Sequence, residues 1–478
     1  MHARACARAV LAALALAPSA RVRADDEPLP TAVTQPLAPP GLLPALPALP
    51  APPAPPPEPA YLPRRVVGFR VKGASKLREH TASYLSHVDI GDLVWPGEEP
   101  QLEAALMSSE LFESATVAFV DAPGGVLVVC TLKDKMSWIA APTAYLLPSH
   151  WSVGAGYAES DFAGYNRKLL VYGQLGNRTS LFLATYLDPS IHGTKWQTRF
   201  DVYVLHEIED EYENPPSDKT SFAVTRESTE TFLDAGALLG YAFRWWLVAD
   251  LRARGAYAYF RDAHATDGAQ TPLAEPERDG WDVTIQERVT IDHRFHHYGV
   301  TWGPYLQVIG EEAIPRISTF QYQDATVRAY YSWRLFGEHE LELRTNFNIG
   351  RHMPFNEEQT AGGVADLRGY DVDQFRGDTR AMFRVEYSVP IVNWRIFYLR
   401  GIGFFDSAYT AFEFPDPSGM RDYLPSQMQG DSWLRTDAGA GIRLYVSSIV
   451  LPLLGFDVAY GIEAHAPEYY FELGLTDF

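Results

Sequence analysis

Glu340-Leu341-Glu342-Leu343-Arg344-Thr345-Asn346-Phe347-Asn348-Ile349 and, further on, the run from Thr379 to Val389 change character at every second residue. In the first run the odd positions suit lipid and the even ones are polar or charged. In the second, Ala381, Phe383, Val385, Tyr387 and Val389 face one way and Arg380, Arg384 and Glu386 the other. A period of two with one apolar and one wet face is a β-strand, and it fits both a membrane strand above a wet lumen and a water-soluble sandwich. Between the two runs lie Gly362-Gly363 and the polar stretch Leu367-Arg368-Gly369-Tyr370-Asp371-Val372-Asp373-Gln374-Phe375-Arg376-Gly377; Phe404-Phe405-Asp406-Ser407-Ala408 follows.

Three features decide for the membrane. Arg4 and Arg8, the apolar run Ala9 to Ala17 and the small residues up to Ala24 make residues 1–24 a secretory signal peptide. Its apolar core is about half of a bilayer-spanning helix, and no other run reaches about 18 apolar residues, which excludes a helical membrane protein. An aromatic content of 13% supplies the amphipathic rings that membrane interfaces favour. The chain ends on the alternating run Tyr469 to Phe478, closing on an aromatic residue, with Phe471, Gly474 and Phe478 as its marks. From 137 to 478 there is no good helix, and at roughly 21 residues per strand with its turn the segment holds about 16 strands. The fold expected is a transmembrane antiparallel β-barrel, its first strand around Trp151 to Tyr157 meeting the last, Tyr469 to Leu475. Gly154, Gly156 and Gly474 would make that seam weak. Glu207 to Asp218 and Asp262 to Asp279 read as solvated surface loops, with a calcium role as the alternative.

Residues 25–63 are Pro/Ala-rich, as in Ala51-Pro52-Pro53-Ala54-Pro55-Pro56-Pro57, and form a semi-extended linker that reaches on the order of 100 Å if stretched. Residues 64–136 read as a small α+β domain: a strand over Val66, Phe69 and Val71, helices over Leu77–Leu85 and Pro100–Ser109, then a hairpin turning at Asp121 to Gly125. Cys6 lies in the signal, so Cys130 is the one cysteine of the mature chain and no intramolecular disulfide forms.

The Gly-Gly pair, Arg-Gly-Tyr, Gly377, Glu386 and Phe-x-Asp at these spacings resemble the BamA/TamA superfamily of bacterial outer-membrane assembly and translocation barrels. The resemblance implies that the loop bearing Leu367, Arg368, Gly369 and Tyr370 folds back into the lumen, that Arg368 pairs with Asp406, and that Gly362, Gly363, Gly377 and Glu386 support it. A planar guanidinium suits a bidentate carboxylate contact, and Asp406 shares a strand face with Tyr398 and Arg400. Gly369 would permit a sharp turn after the arginine. Ala408 stands where the family usually has glycine. The resemblance also implies 16 strands and makes residues 64–136 a POTRA-like periplasmic domain, with Val71-Lys72-Gly73 and Glu110-Leu111-Phe112 as specific echoes; a ferredoxin-like or unrelated α+β fold is the competing reading. The terminal aromatic strand resembles the signal by which such barrels are inserted.

A net charge of −20 argues against nucleic acid. No Gly-x-Ser-x-Gly elbow, P-loop or His-Glu-x-x-His occurs, and His293, His296 and His297 read as a solvated turn, so no catalytic residue, metal or cofactor is expected. The expected role is a barrel in the outer membrane that assists insertion of outer-membrane proteins or translocates a substrate. Its partners would be outer-membrane lipid, unfolded outer-membrane or exported clients and, through the periplasmic domain, periplasmic or inner-membrane proteins. A loop-gated porin or transport channel and a structural surface-displayed barrel are the alternatives. One POTRA domain, against several in general assembly factors, points to an auxiliary role.

Overall fold

Strands that alternate in polarity cannot leave both faces in one solvent, and here they close on themselves. A computed structural model describes residues 62–147, 150–212, 223–297, 300–394, 397–414, 432–446 and 452–473. The signal peptide, nearly all of the linker, Gly474 and Phe478 lie outside the described residues.

The N-terminal domain is built from β1 (Arg64–Ala74), α1 (Glu79–Ser86), β2 (Leu93–Val94), α2 (Glu99–Ser108), β3 (Phe112–Ala122) and β4 (Gly125–Asp134). Its sheet runs β2-β1-β4-β3, with β1 and β4 parallel. Pro100 sits in the first turn of α2, where its missing N–H costs nothing, and the helix turns Leu102 and Leu106 inward onto Val66, Phe112, Val128 and Leu132. Cys130 is in the same core, and burial pushes its thiol up to about 12.

The wall of the barrel follows in chain order: β5 (Trp138–Leu146), β6 (Trp151–Phe162), β7 (Arg167–Gly176), β8 (Thr179–Asp188), β9 (Trp196–Tyr212), β10 (Val224–Arg244), β11 (Leu247–Ala265), β12 (Gly280–Asp292) continued by β13 (Phe295–His297), β14 (Val300–Ala313), β15 (Gln323–Leu335) and β16 (His339–Arg351). The loop after β16 carries a small hairpin, β17 (Gln359–Ala361) with β18 (Phe375–Gly377). The wall resumes with β19 (Thr379–Trp394), β20 (Phe397–Ala411), β21 (Ser432–Val446), β22 (Pro452–Gly461) and β23 (Ala466–Leu473). With β13 continuing β12, this is a closed antiparallel barrel of 16 strands. Outward positions such as Phe200, Leu251, Phe347, Phe383 and Phe405 are exposed large apolar side chains, as a lipid-facing surface requires.

Two expectations are corrected. The first barrel strand is Trp138–Leu146, and Gly154 and Gly156 belong to the second, between β5 and β7. The seam is β5 with β23, joined at Leu146↔Phe471, Tyr145↔Glu472 and Ala144↔Leu473. This strand carries Pro142, a residue usually confined to edges, so local pattern alone does not mark it. Second, the acidic run from Glu207 does not leave the sheet: residues through Tyr212 continue β9. Their charges face partners from elsewhere in the chain, Asp210 meeting Arg178 and Glu211 meeting Arg226. Residues 266–279 do form a loop, between β11 and β12.

The N-terminal domain is seated on the turns at one end of the barrel. Gly164, between β6 and β7, accepts bonds at its carbonyl from the Arg78 N–H (3.0 Å) and the Thr81 hydroxyl (3.3 Å). Lys195 pairs with Asp89 at 3.0 Å, the His87 ring stacks on Trp245 at 4.0 Å, and the Ser108 hydroxyl accepts the His296 N–H at 3.2 Å. His293 lies against the same Trp245, so the histidine turn is part of this seat. Gly164 has φ +77°, and an added Cβ would strike the Lys76 carbonyl. Gly164→Val is therefore expected to loosen the domain from the barrel. Faster tryptic cleavage between the two, with the barrel still folded, is the readout; an unchanged digestion rate would count against this seat.

Candidate functional site

The loop between β16 and β19 turns back into the lumen instead of extending away from the barrel. Gly362 (φ 133°) and Gly363 (φ 82°) reverse it in a region of backbone space that other residues avoid, and the Gly363 N–H returns to the Tyr370 carbonyl at 3.1 Å. Leu367 and Tyr370 are buried with Ala361, Phe375, Met382 and Ala408, so the loop has a small apolar core of its own. Ala408, in place of a glycine, contributes a methyl group to that core.

Arg368 is 1% exposed and Asp406 0%. The guanidinium forks onto the carboxylate, Nε to Oδ2 at 2.8 Å and Nη2 to Oδ1 at 3.2 Å. Its remaining nitrogen reaches Glu386 at 3.1 Å and Asp457 at 3.4 Å, and the Phe404 ring lies 3.3 Å from Cζ. A buried arginine with all sides met by carboxylates and a ring face is held in one geometry. The strand phase explains the aspartate: Asp406 turns inward while Phe405 is exposed.

Several partners were not picked out from the sequence. Arg384 sits directly across from Asp406 in the β19–β20 register and donates to it at 2.8 Å. The same guanidinium caps the Val364, Ala365 and Asp366 carbonyls. Asp406 thus joins two arginines, one from the loop and one from the wall. Asp437, facing Asp406 on β21, accepts the Gly369 N–H at 2.9 Å. Asp457 is also gripped by Arg443 through both oxygens, at 2.6 and 2.7 Å. Tyr370 bonds Glu463, and its carbonyl accepts the Tyr470 hydroxyl at 2.8 Å, so the loop reaches the last strand. Alternation hinted at Arg384 by placing it inward; only the register reveals what it meets.

Gly369 has a different reason from the one expected. It does not adopt positive φ; a Cβ there would stand 2.6 Å from the Asp437 Cβ and 2.6 Å from the Gly461 N. Glycine lets the loop backbone lie against the wall. Gly369→Ala is expected to push the loop off β21 and β22 and cost about 1–3 kcal/mol, the range for overpacking. A urea midpoint equal to that of the unaltered protein would refute the close-approach reading. Of the remaining marks, Gly377 ends β18 against the backbone of Ala411, and Phe471 pairs with Leu146 in the seam.

The Omp85 superfamily domain model matches residues 161–476. Among solved structures, BamA from Haemophilus ducreyi lacking POTRA domains 1–3 is similar at 14% identity, over 85% of this chain and 84% of that one, with a TM-score of 0.52. CdiB from Escherichia coli is similar at 12% identity, over 85% and 76%, with a TM-score of 0.57. CdiB from Acinetobacter baumannii matches at 11%, over 86% and 74%, with a TM-score of 0.51. These likenesses concern the fold. No curated protein matches the sequence.

Proposed function

This chain belongs to the Omp85 superfamily, and on that premise we propose that it handles other proteins at the outer membrane, assisting their insertion or moving a substrate across. The observation that carries this reading is the seam. Every other pairing in the wall joins strands that are neighbours along the chain or are separated only by the lumenal loop, whereas here the first wall strand, β5, meets the last described one, β23. An edge that parts exposes unpaired N–H and C=O groups, which an unfolded β-client can match.

The N-terminal domain, read as a POTRA-like module in the periplasm, fits recruitment. Its β3 lies at the sheet edge with β4 as its one neighbour in the sheet order, and an extended client can add there by main-chain bonding. Periplasmic or inner-membrane partners belong to the same proposal, as does a role without enzymatic chemistry. The test is reconstitution into liposomes with an unfolded outer-membrane protein supplied. Faster client folding than in protein-free liposomes is expected. Steady ion conduction with no effect on client folding would replace this reading by a loop-gated channel.

A further inference from the structure

The lumenal loop is held at a second end. Arg376, 8% exposed, pairs with Glu209 of β9, stacks 4.1 Å over the Phe355 ring and donates to the Phe355 carbonyl at 3.4 Å. Beside it, Glu357 accepts a 2.9 Å bond from Arg254 of β11, which also reaches the Tyr322 hydroxyl at 2.8 Å. Phe355 packs edge-on against Phe260 of β11 at 5.8 Å.

The position of these contacts matters more than their number. Counted either way round the wall, β9 stands eight strands from β20, so Glu209 and Asp406 lie on opposite sides of the barrel. The seam falls within one of the two arcs they divide, three strands beyond β20 and four before β9. We infer that the loop is a two-ended strut across the lumen, and that Arg376 on Glu209 is the positioning contact that holds the two arms beside the seam at a fixed separation. Opening of the seam then requires release at this end. The Arg368 end is the permanent one, because Asp406, Asp437 and Asp457 all grip it. The Arg376 end is the releasable one: Glu209 of β9 and Glu358 of the loop share a single guanidinium, and once it leaves, the two carboxylates repel the loop from β9.

The test uses the full-length protein in planar bilayers and liposomes, with no client present. Arg376→Gln and Glu209→Gln are each expected to raise the frequency of open-lumen conductance events about tenfold, equivalent to about 1.4 kcal/mol in the opening equilibrium. Each should slow disulfide formation between cysteines placed at Leu146 and Phe471 by a similar factor. The exchanged pair, Arg376→Glu with Glu209→Arg, should restore both readouts, which a merely structural role would not produce. Should Arg376→Gln fail to fold, Glu209→Gln carries the test, since the arginine keeps Glu358. Folded variants with unaltered conductance and unaltered cross-linking overturn the strut. Because neither readout involves a client, a failed client-folding assay would sink the proposed function and leave this inference standing.

Discussion

Asp406→Ala is expected to destabilise the barrel more than Arg368→Ala, by about 4–5 against about 3 kcal/mol, the upper and lower parts of the range for breaking a buried ion pair. The asymmetry follows from the partners. Without Arg368, Asp406 still receives Arg384 at 2.8 Å, and Asp457 keeps its bidentate contact with Arg443. Without Asp406, two inward arginines lose their shared acceptor at once, and Asp437 is left as the nearby carboxylate on the next strand. Arg368→Lys should fall near Arg368→Ala, since an ammonium cannot reproduce the fork. Urea titration of the folded, heat-modifiable band measures all three. If Arg368→Ala proves the costlier, the wall arginine does not share the aspartate as described.

Locking the seam is expected to abolish client folding. Cysteines at Leu146 and Phe471 are register partners across β5 and β23, and antiparallel partners have Cβ atoms about 4.5–5.5 Å apart, near disulfide reach. Oxidation should stop the activity and reduction restore it. Cys130 does not interfere, because it is buried in the N-terminal domain and its thiol is pushed up to about 12, far from the thiolate needed for exchange at neutral pH. Full activity in a barrel verified as cross-linked rules out strand templating and leaves the lumen as the route.

Local pattern carried the barrel and the inward phase of Asp406, because a period of two is written into each strand separately. It also marked Arg368 through its neighbours Gly362, Gly363 and Tyr370. It did not reach Arg384, Asp437 or Arg443, whose roles exist only once β19, β20, β21 and β22 are in register. The acidic end of β9 misled for the same reason: Glu209 looks like a solvent-facing loop residue until Arg376, 167 residues away, is brought to it. Gly369 shows a subtler limit. A glycine after an arginine suggests a turn, and nothing nearby in the sequence announces that Asp437 and Gly461 will press against it.

The seam between β5 and β23 also dictates how this chain acquires its own structure. Leu146 and Phe471 are about 325 residues apart in sequence, and bringing such ends together carries a chain-entropy penalty that grows as the logarithm of that span, roughly 5 kcal/mol. The neighbouring pairings of the wall are mostly hairpins with short connections, so they form early and locally, while closure waits for the last strand to emerge. Until then the nascent protein is an open, curved sheet with two free edges in the bilayer, the most aggregation-prone stage of its life. Closure across that span therefore makes ring formation the slowest and most fragile step of biogenesis, and mutations in β5 or β23 should appear first as lost yield, before any loss of stability in barrels that have closed.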